Sequence, residues 1–216
     1  MIPMAHHSSG MASSSAVGVK PLLLASASPR RHALLSRSGV PHRVEVSAVE
    51  EISEHHGAPE DLCAWNALQK AKAVAARQPP GILVLGADTI VVLDERVMGK
   101  PVDSNDAVRM LEALSGRTHQ VITAFCLVES PSLVCVERRV VTDVWFRHLE
   151  KDTIENYIAT GEPFDKAGAY GIQDRGAALV ERISGSYTNV VGLPLAEVLE
   201  ALEECGGPRA FVVEAV

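Results

Sequence analysis

Aromatic side chains are scarce: 2 Trp, 3 Tyr and 4 Phe in 216 residues. A core built without them rests on Val, Leu, Ile and Ala. That palette suits packed α/β layers better than an aromatic-rich β-sandwich. A basic excess is missing as well, with 20 Lys and Arg against 27 Asp and Glu and a formal net charge of −7. The balance argues against a generic binder of nucleic acid or of an anionic membrane, which needs a basic face. It leaves room for a small phosphorylated ligand, because a few local cations can hold one inside an acidic protein. No apolar run reaches membrane-spanning length. "VKPLLLASA" mimics a signal peptide faintly, but its apolar part is too short and an uncharged segment precedes it.

Several familiar chemistries lack their signatures. Cys63, Cys126, Cys135 and Cys205 form no CxxC pair, and all but Cys205 have apolar neighbours. They read as reduced, mostly buried thiols of a cytoplasmic protein, not as a disulfide framework or a metal site. The histidines form no HExxH, and His55-His56 reads as a solvated pair in a polar loop. There is no GxSxG elbow, although a Ser-His-Asp arrangement stays open because its members need not be neighbours in sequence. Gly81 and Gly86 have P-loop spacing, but Ala87-Asp88 stands where Gly-Lys-Ser/Thr would follow, so this is not a Walker loop. Residues 1–18 are small, polar and aperiodic, and disorder is expected there. "HHSSG" resembles the tail of a purification tag, so His6 and His7 are not expected to be ligands. Residues 19–216 read as a single domain.

What is present alternates between strand and helix patterns. Val19–Ala25 reads as a buried strand, and "PRRHALLSRSG" as a helix closed by Gly39. "HRVEVSAV" reads as an alternating strand, and "APEDLCAWNALQKAKAVAARQ" as a long helix. "GILVLGADTIVVLD" reads as a buried central strand, continuous or broken at Gly86. A helix closed by Gly116 follows, and then two long strands joined by Ser-Pro-Ser. The helix "KDTIENYIATG" carries Asp152 and Glu155 at capping-box spacing. A Gly-rich loop, the strand "AALVERI" and a last helix complete the chain. The fold class is α/β: an elongated mixed sheet flanked by helices, in two lobes around a central cleft.

Within that frame, "LLLASASPRRHALL" ends a buried strand in small hydroxyls and two arginines. A helix N-terminus with Ser26, Ser28, Arg30 and Arg31 can hold phosphate; equally, Ser28 can be an N-cap beside a solvated face. Asp88 interrupts an apolar strand, where a carboxylate is costly to bury without a partner. It reads as a turn residue, or as a metal ligand or general base. Glu50, Glu51, Lys70, Lys72 and Lys100 are each ordinary as single surface charges. Together they supply what phosphoanhydride cleavage needs: carboxylates for a metal and a water, cations for the phosphates. Gln173, in "FDKAGAYGIQDRGA", offers the donor and acceptor that can read the amide edge of a base.

Taken together, "LASASPRRHALLSRSGV", "VEEI" before "LQKAKAV", "VLGADTIVVLDERVMGKP", "AVRMLEALSGRTHQVITAFCLV" and "FDKAGAYGIQDRGAALVERISGSYTNVVGLPL" resemble the Maf family of nucleoside triphosphate pyrophosphatases, from about Leu22 to Leu195. The resemblance implies hydrolysis of a nucleoside triphosphate to the monophosphate and pyrophosphate, with Mg²⁺, Mn²⁺ or Co²⁺ as cofactor. It implies a fold akin to inosine triphosphate pyrophosphatases and a homodimer, with no nucleic-acid or membrane partner. It puts the proton acceptor at Asp88, metal ligands at Glu51 (Glu50 competing) and Asp88, and substrate contacts at Ser26, Arg30, Arg31, Lys70 and Lys100. "KAGAYGIQ" resembles the dTTP/UTP branch, which ties pyrimidine selectivity to Arg30, Thr89 and Gln173. Two positions depart from the pattern: Asp174, where Gly is usual, and Trp65-Asn66, where an Arg-Leu pair is common. The alternative is a regulator of cell division that senses nucleotide without cleaving it.

Overall fold

A computed structural model describes residues 18–53 and 57–211. The expectations for His6, His7, His55, His56 and the first seventeen residues lie outside it. One seven-stranded sheet organises the chain, in the order β2 (Arg43–Val44), β1 (Leu22–Leu24), β3 (Leu83–Leu93), β5 (Thr118–Glu129), β6 (Leu133–Phe146), β7 (Val180–Ser184), with β4 (Arg96–Met98) also on β3. β1 runs parallel to β2 and β3, and every other pairing is antiparallel, so the sheet is mixed. The helices α1 (Pro29–Arg37), α2 (Pro59–Ala75), α3 (Ser104–Leu114), α4 (Lys151–Ala159), α5 (Tyr187–Val191) and α6 (Leu195–Glu204) flank it. None is long and apolar enough to cross a membrane among the described residues.

β3 is unbroken through Gly86. A Cβ on Gly86 would stand 2.3 Å from the Ala67 carbonyl oxygen and 2.7 Å from the Ala71 nitrogen of α2. The glycine therefore marks close helix–strand approach and not a break. β2 is shorter than its alternating sequence suggests. It pairs with β1, which offers only three residues, and the ladder ends where the Glu45 N–H donates to the Leu24 carbonyl. The capping box at Asp152 and Glu155 does not form. α4 begins two residues earlier than that box requires, with Glu150 as an N-cap lacking a side-chain bond, and Asp152 inside the first turn. The preceding Leu149 amide is already held by the Ser115 hydroxyl at 2.7 Å, which fixes where the helix starts.

The core falls into two parts on one face of the sheet. Leu83, Leu85 and Ala87 pack with Leu24, Leu35, Val198 and Leu202 of β1, α1 and α6. Further along the same strand, Val91 and Leu93 pack with Leu111, Ile154, Tyr157 and Tyr170. Thr89 lies between the two clusters, and there the lobes part. On the opposite face α2 covers β3 continuously, burying Ala71, Val74 and Val84, then Cys63, Ala67, Ile90 and Val92.

Candidate active site

A strand has two edges. β5 occupies one edge of β3 from Leu83 to Val92. The other edge is shared: β1 pairs with Leu83–Leu85, and β4 pairs with Val91–Leu93. Gly86 to Ile90 therefore face a notch in the sheet, and Asp88 sits at its centre. A cleft of about 580 Å³ opens there, within the range of small-molecule sites. Ser26, Arg30, Arg31, Glu51, Lys70, Asp88, Thr89, Lys100 and Gln173 all line it. Glu50 and Lys72 do not.

The charged centre is assembled by α2. Its close approach at Gly86 carries Lys70 to the notch, where Nζ lies 2.7 Å from Asp88 Oδ1 and 2.5 Å from Glu51 Oε1. Nζ also donates to the Ala87 carbonyl at 3.4 Å, a group left free by the notch. Lys70 and Asp88 are both under 10% exposed as side chains, and Glu51 is 50% exposed. Partial burial pushes the Glu51 carboxyl up. The Lys70 hydrogen bond and charge, with Lys100 and Arg31 beyond, outweigh it and hold the carboxyl below its ordinary range. The Cys63 thiol donates to the Asp88 carbonyl at 3.2 Å, and burial pushes its pKa up to about 12. It is a packing thiol, not a nucleophile.

The loop after β1 forms the next wall. Ser26 Oγ accepts from the Ser28 N–H and from Arg31 Nη1, both at 3.2 Å. Ser28 stands at the N-cap of α1 but makes no side-chain capping bond. Arg31 is buried; its Nε donates to the Gly192 carbonyl at 2.8 Å and Nη2 to Thr89 Oγ1 at 3.0 Å. Burial lowers its pKa from the ordinary guanidinium value, with Asp88 opposing. These bonds leave one N–H on each terminal nitrogen for a ligand. The Thr89 hydroxyl is committed to Arg31 and, at 2.9 Å, to Thr123. Across the cleft, Arg30 pairs with Asp165 at 2.7 Å, and Lys166 grips the same carboxylate at 2.6 Å.

The sequence profile of the Maf family, described as Maf-like protein, matches residues 21–205. The chain belongs to the Maf family. Among relatives, the dTTP/UTP pyrophosphatase of Symbiobacterium thermophilum is 51% identical over 188 residues, covering 87% of this chain and 95% of that protein. The dTTP/UTP pyrophosphatase of Moorella thermoacetica is 53% identical over 181 residues, 84% of this chain and 93% of that one. A solved nucleoside-triphosphatase / dITP/XTP pyrophosphatase from Mycobacterium abscessus overlaps more loosely, at 22% identity and a TM-score of 0.38 over 60% of this chain and 75% of its own. That overlap is too slight to carry an argument.

The structure explains one departure from the Maf pattern. Asp174 has φ of +51°, the left-handed region where glycine is at ease and aspartate is tolerated. At the other departure, Asn66 is buried against Asp88, and its role was not legible in the sequence. The signal available was its spacing, four residues before Lys70 on the same helix face. Asp165 likewise carries no local sequence signal, because its partner Arg30 lies 135 residues away.

A divalent cation suits this centre in one respect. Glu51 Oε1 and Asp88 Oδ1 already converge on a single positive point, the Lys70 ammonium. No group of three or more His, Cys, Asp or Glu stands together among the described residues. Two carboxylates alone match a hard cation that takes the rest of its shell from water and phosphate oxygens.

Proposed function

We propose that this chain hydrolyses dTTP and UTP to the nucleoside monophosphate and pyrophosphate. The observation that carries the reading is the convergence of Asp88 and Glu51 on Lys70 at the floor of a cleft walled by Arg30, Arg31 and Lys100. Relatives at about half identity bear that activity in their names. Asp88 takes the proton of a water that attacks the α-phosphorus. The new P–O bond forms as the bond to the bridging oxygen breaks, and pyrophosphate departs. Arg31, with its two free N–H groups, Ser26, Lys70 and Lys100 hold the phosphate oxygens as charge builds on them. Glu51 and Asp88 are the carboxylates that would hold a divalent cation, which when bound would neutralise triphosphate charge. Arg30 and Gln173 face the base, and Thr89 acts on selectivity through Arg31.

A single domain over residues 19–216 working as a homodimer completes the reading. The four free cysteines support a reducing, cytoplasmic setting. The test is a panel of dTTP, UTP, purine triphosphates and 7-methyl-GTP with Mg²⁺, Mn²⁺ or Co²⁺, assayed for pyrophosphate. Pyrophosphate from dTTP and UTP is expected. Tight binding without turnover would replace the enzyme with a nucleotide sensor, and orthophosphate would replace it with a phosphatase.

A further inference from the structure

Glu51 rides on a segment, residues 45–53, that has no regular secondary structure, while Asp88 is fixed in the central strand. Something must hold the first against the second. The Asn66 amide does so. Its Oδ1 accepts the Ile52 N–H at 3.1 Å, and its Nδ2 donates to the Ile52 carbonyl at 3.1 Å and to Asp88 Oδ2 at 3.3 Å. The paired bonds to one backbone residue fix which end of the amide is which, since a flipped amide would face donor to donor. Both N–H groups are thereby used, in a residue only 5% exposed.

We infer that Asn66 is a positioning residue: it braces the Glu51 segment to the Asp88 carboxylate and fixes the separation of the two reactive carboxylates. Lys70 ties the same two groups by charge, but an ammonium on a flexible stem sets no direction. The planar amide sets direction. It fixes the backbone beside Glu51 and occupies the Asp88 oxygen that Lys70 leaves, so Oδ1 is the atom turned to the lysine. The inference rests on the proposed role of Asp88 and Glu51 in the hydrolysis.

The experiment compares wild type, Asn66→Leu, Asp88→Asn and the double variant on dTTP. Leucine fills the same buried space and cannot make the bonds. For Asn66→Leu, kcat falls about 10- to 100-fold, the range for losing a hydrogen bond to a charged group and the alignment it sets. KM changes by less than about 3-fold, because the phosphate-binding side chains are untouched. Hydrogen exchange at the Ile52 amide rises while the α2 amides stay protected. In the Asp88→Asn background the second change costs little more, since both act on one group. Wild-type kcat in Asn66→Leu, a rise in KM alone, or full additivity with Asp88→Asn would overturn the inference. If Asn66→Leu does not fold, Asn66→Ala carries the test: it suits the interior of α2, removes the amide without adding a charge beside Asp88, and loses kcat in the same way. Full activity in Asp88→Asn would instead remove the underlying reading, and is distinguished by that variant alone.

Discussion

The two walls of the cleft are held in opposite ways. On the inner side, Lys70, Asp88 and Asn66, where α2 meets β3, and Arg31 of α1 are all buried and bonded into the sheet, with their partners in β3 and the flanking loops. On the far side, the residues from Glu162 to Leu179 form short 3-10 turns, tied across the cleft by Asp165, whose side chain is 62% exposed. The difference follows from what each wall faces. Under the proposed function, groups that meet phosphate must keep one geometry and carry charge in low dielectric, so each needs a fixed partner. A wall that admits and releases a ligand works with contacts that water can replace.

This contrast can be broken by substitution. The largest effect is expected at Lys70. Lys70→Met leaves Asp88 and Glu51 facing each other without the intervening cation, which should destabilise the fold by about 3–5 kcal/mol as well as abolish turnover. Urea unfolding would read the first and the pyrophosphate assay the second. Asp88→Asn comes next: turnover should drop by about two orders of magnitude or more, while Lys70 keeps Glu51 as a partner, so the stability loss should stay below that of Lys70→Met and circular dichroism at the assay temperature should be unchanged.

The third prediction concerns His119, buried behind the far wall. Its Nε2 lies 2.7 Å from the Tyr170 hydroxyl, and burial lowers its pKa to about 4. The unfolded chain takes up a proton near pH 6.5, and the folded chain does so only near 4. The unfolded state therefore binds more protons between those values, and stability falls as pH falls through that window. At pH 5 the loss is about 2 kcal/mol, and His119→Gln should flatten it in pH-dependent melting curves. The smallest effect belongs to Asp165→Asn. Losing an exposed pair should change stability by less than about 1 kcal/mol, with any kinetic change in KM and selectivity rather than in kcat. A large stability loss there would erase the contrast between the walls.

Much of this was readable in the residues themselves. The strand, the arginine-bearing helix, α2 and the long β5–β6 hairpin follow from periodicity and turn chemistry, and the positions singled out for chemistry, Glu50 and Lys72 apart, meet in one cleft. What escaped was non-local. The length of β2 is set by how far its neighbour β1 extends, not by its own alternation. The short helix α5, with Ser186 capping it through the Asn189 N–H, hides in a stretch too brief to show a period. Asn66 looks like an ordinary polar residue until β3 supplies Asp88. Two of the four thiols, Cys135 and Cys205, are only half-buried, because β6 and the end of α6 lie at the margin of the core.

Gly86 has a consequence of its own. With 2.3 Å between its missing Cβ and the Ala67 oxygen, the strand and helix touch backbone to backbone. That contact acts as a ruler: it sets how far Lys70 and Asn66 must reach, and both reach by a single side-chain length. One added methyl group would lift α2 from the sheet and draw the amide and the ammonium away from Asp88 together. The dimension on which the Asp88–Lys70 cluster depends is thus written by an atom the protein does not have.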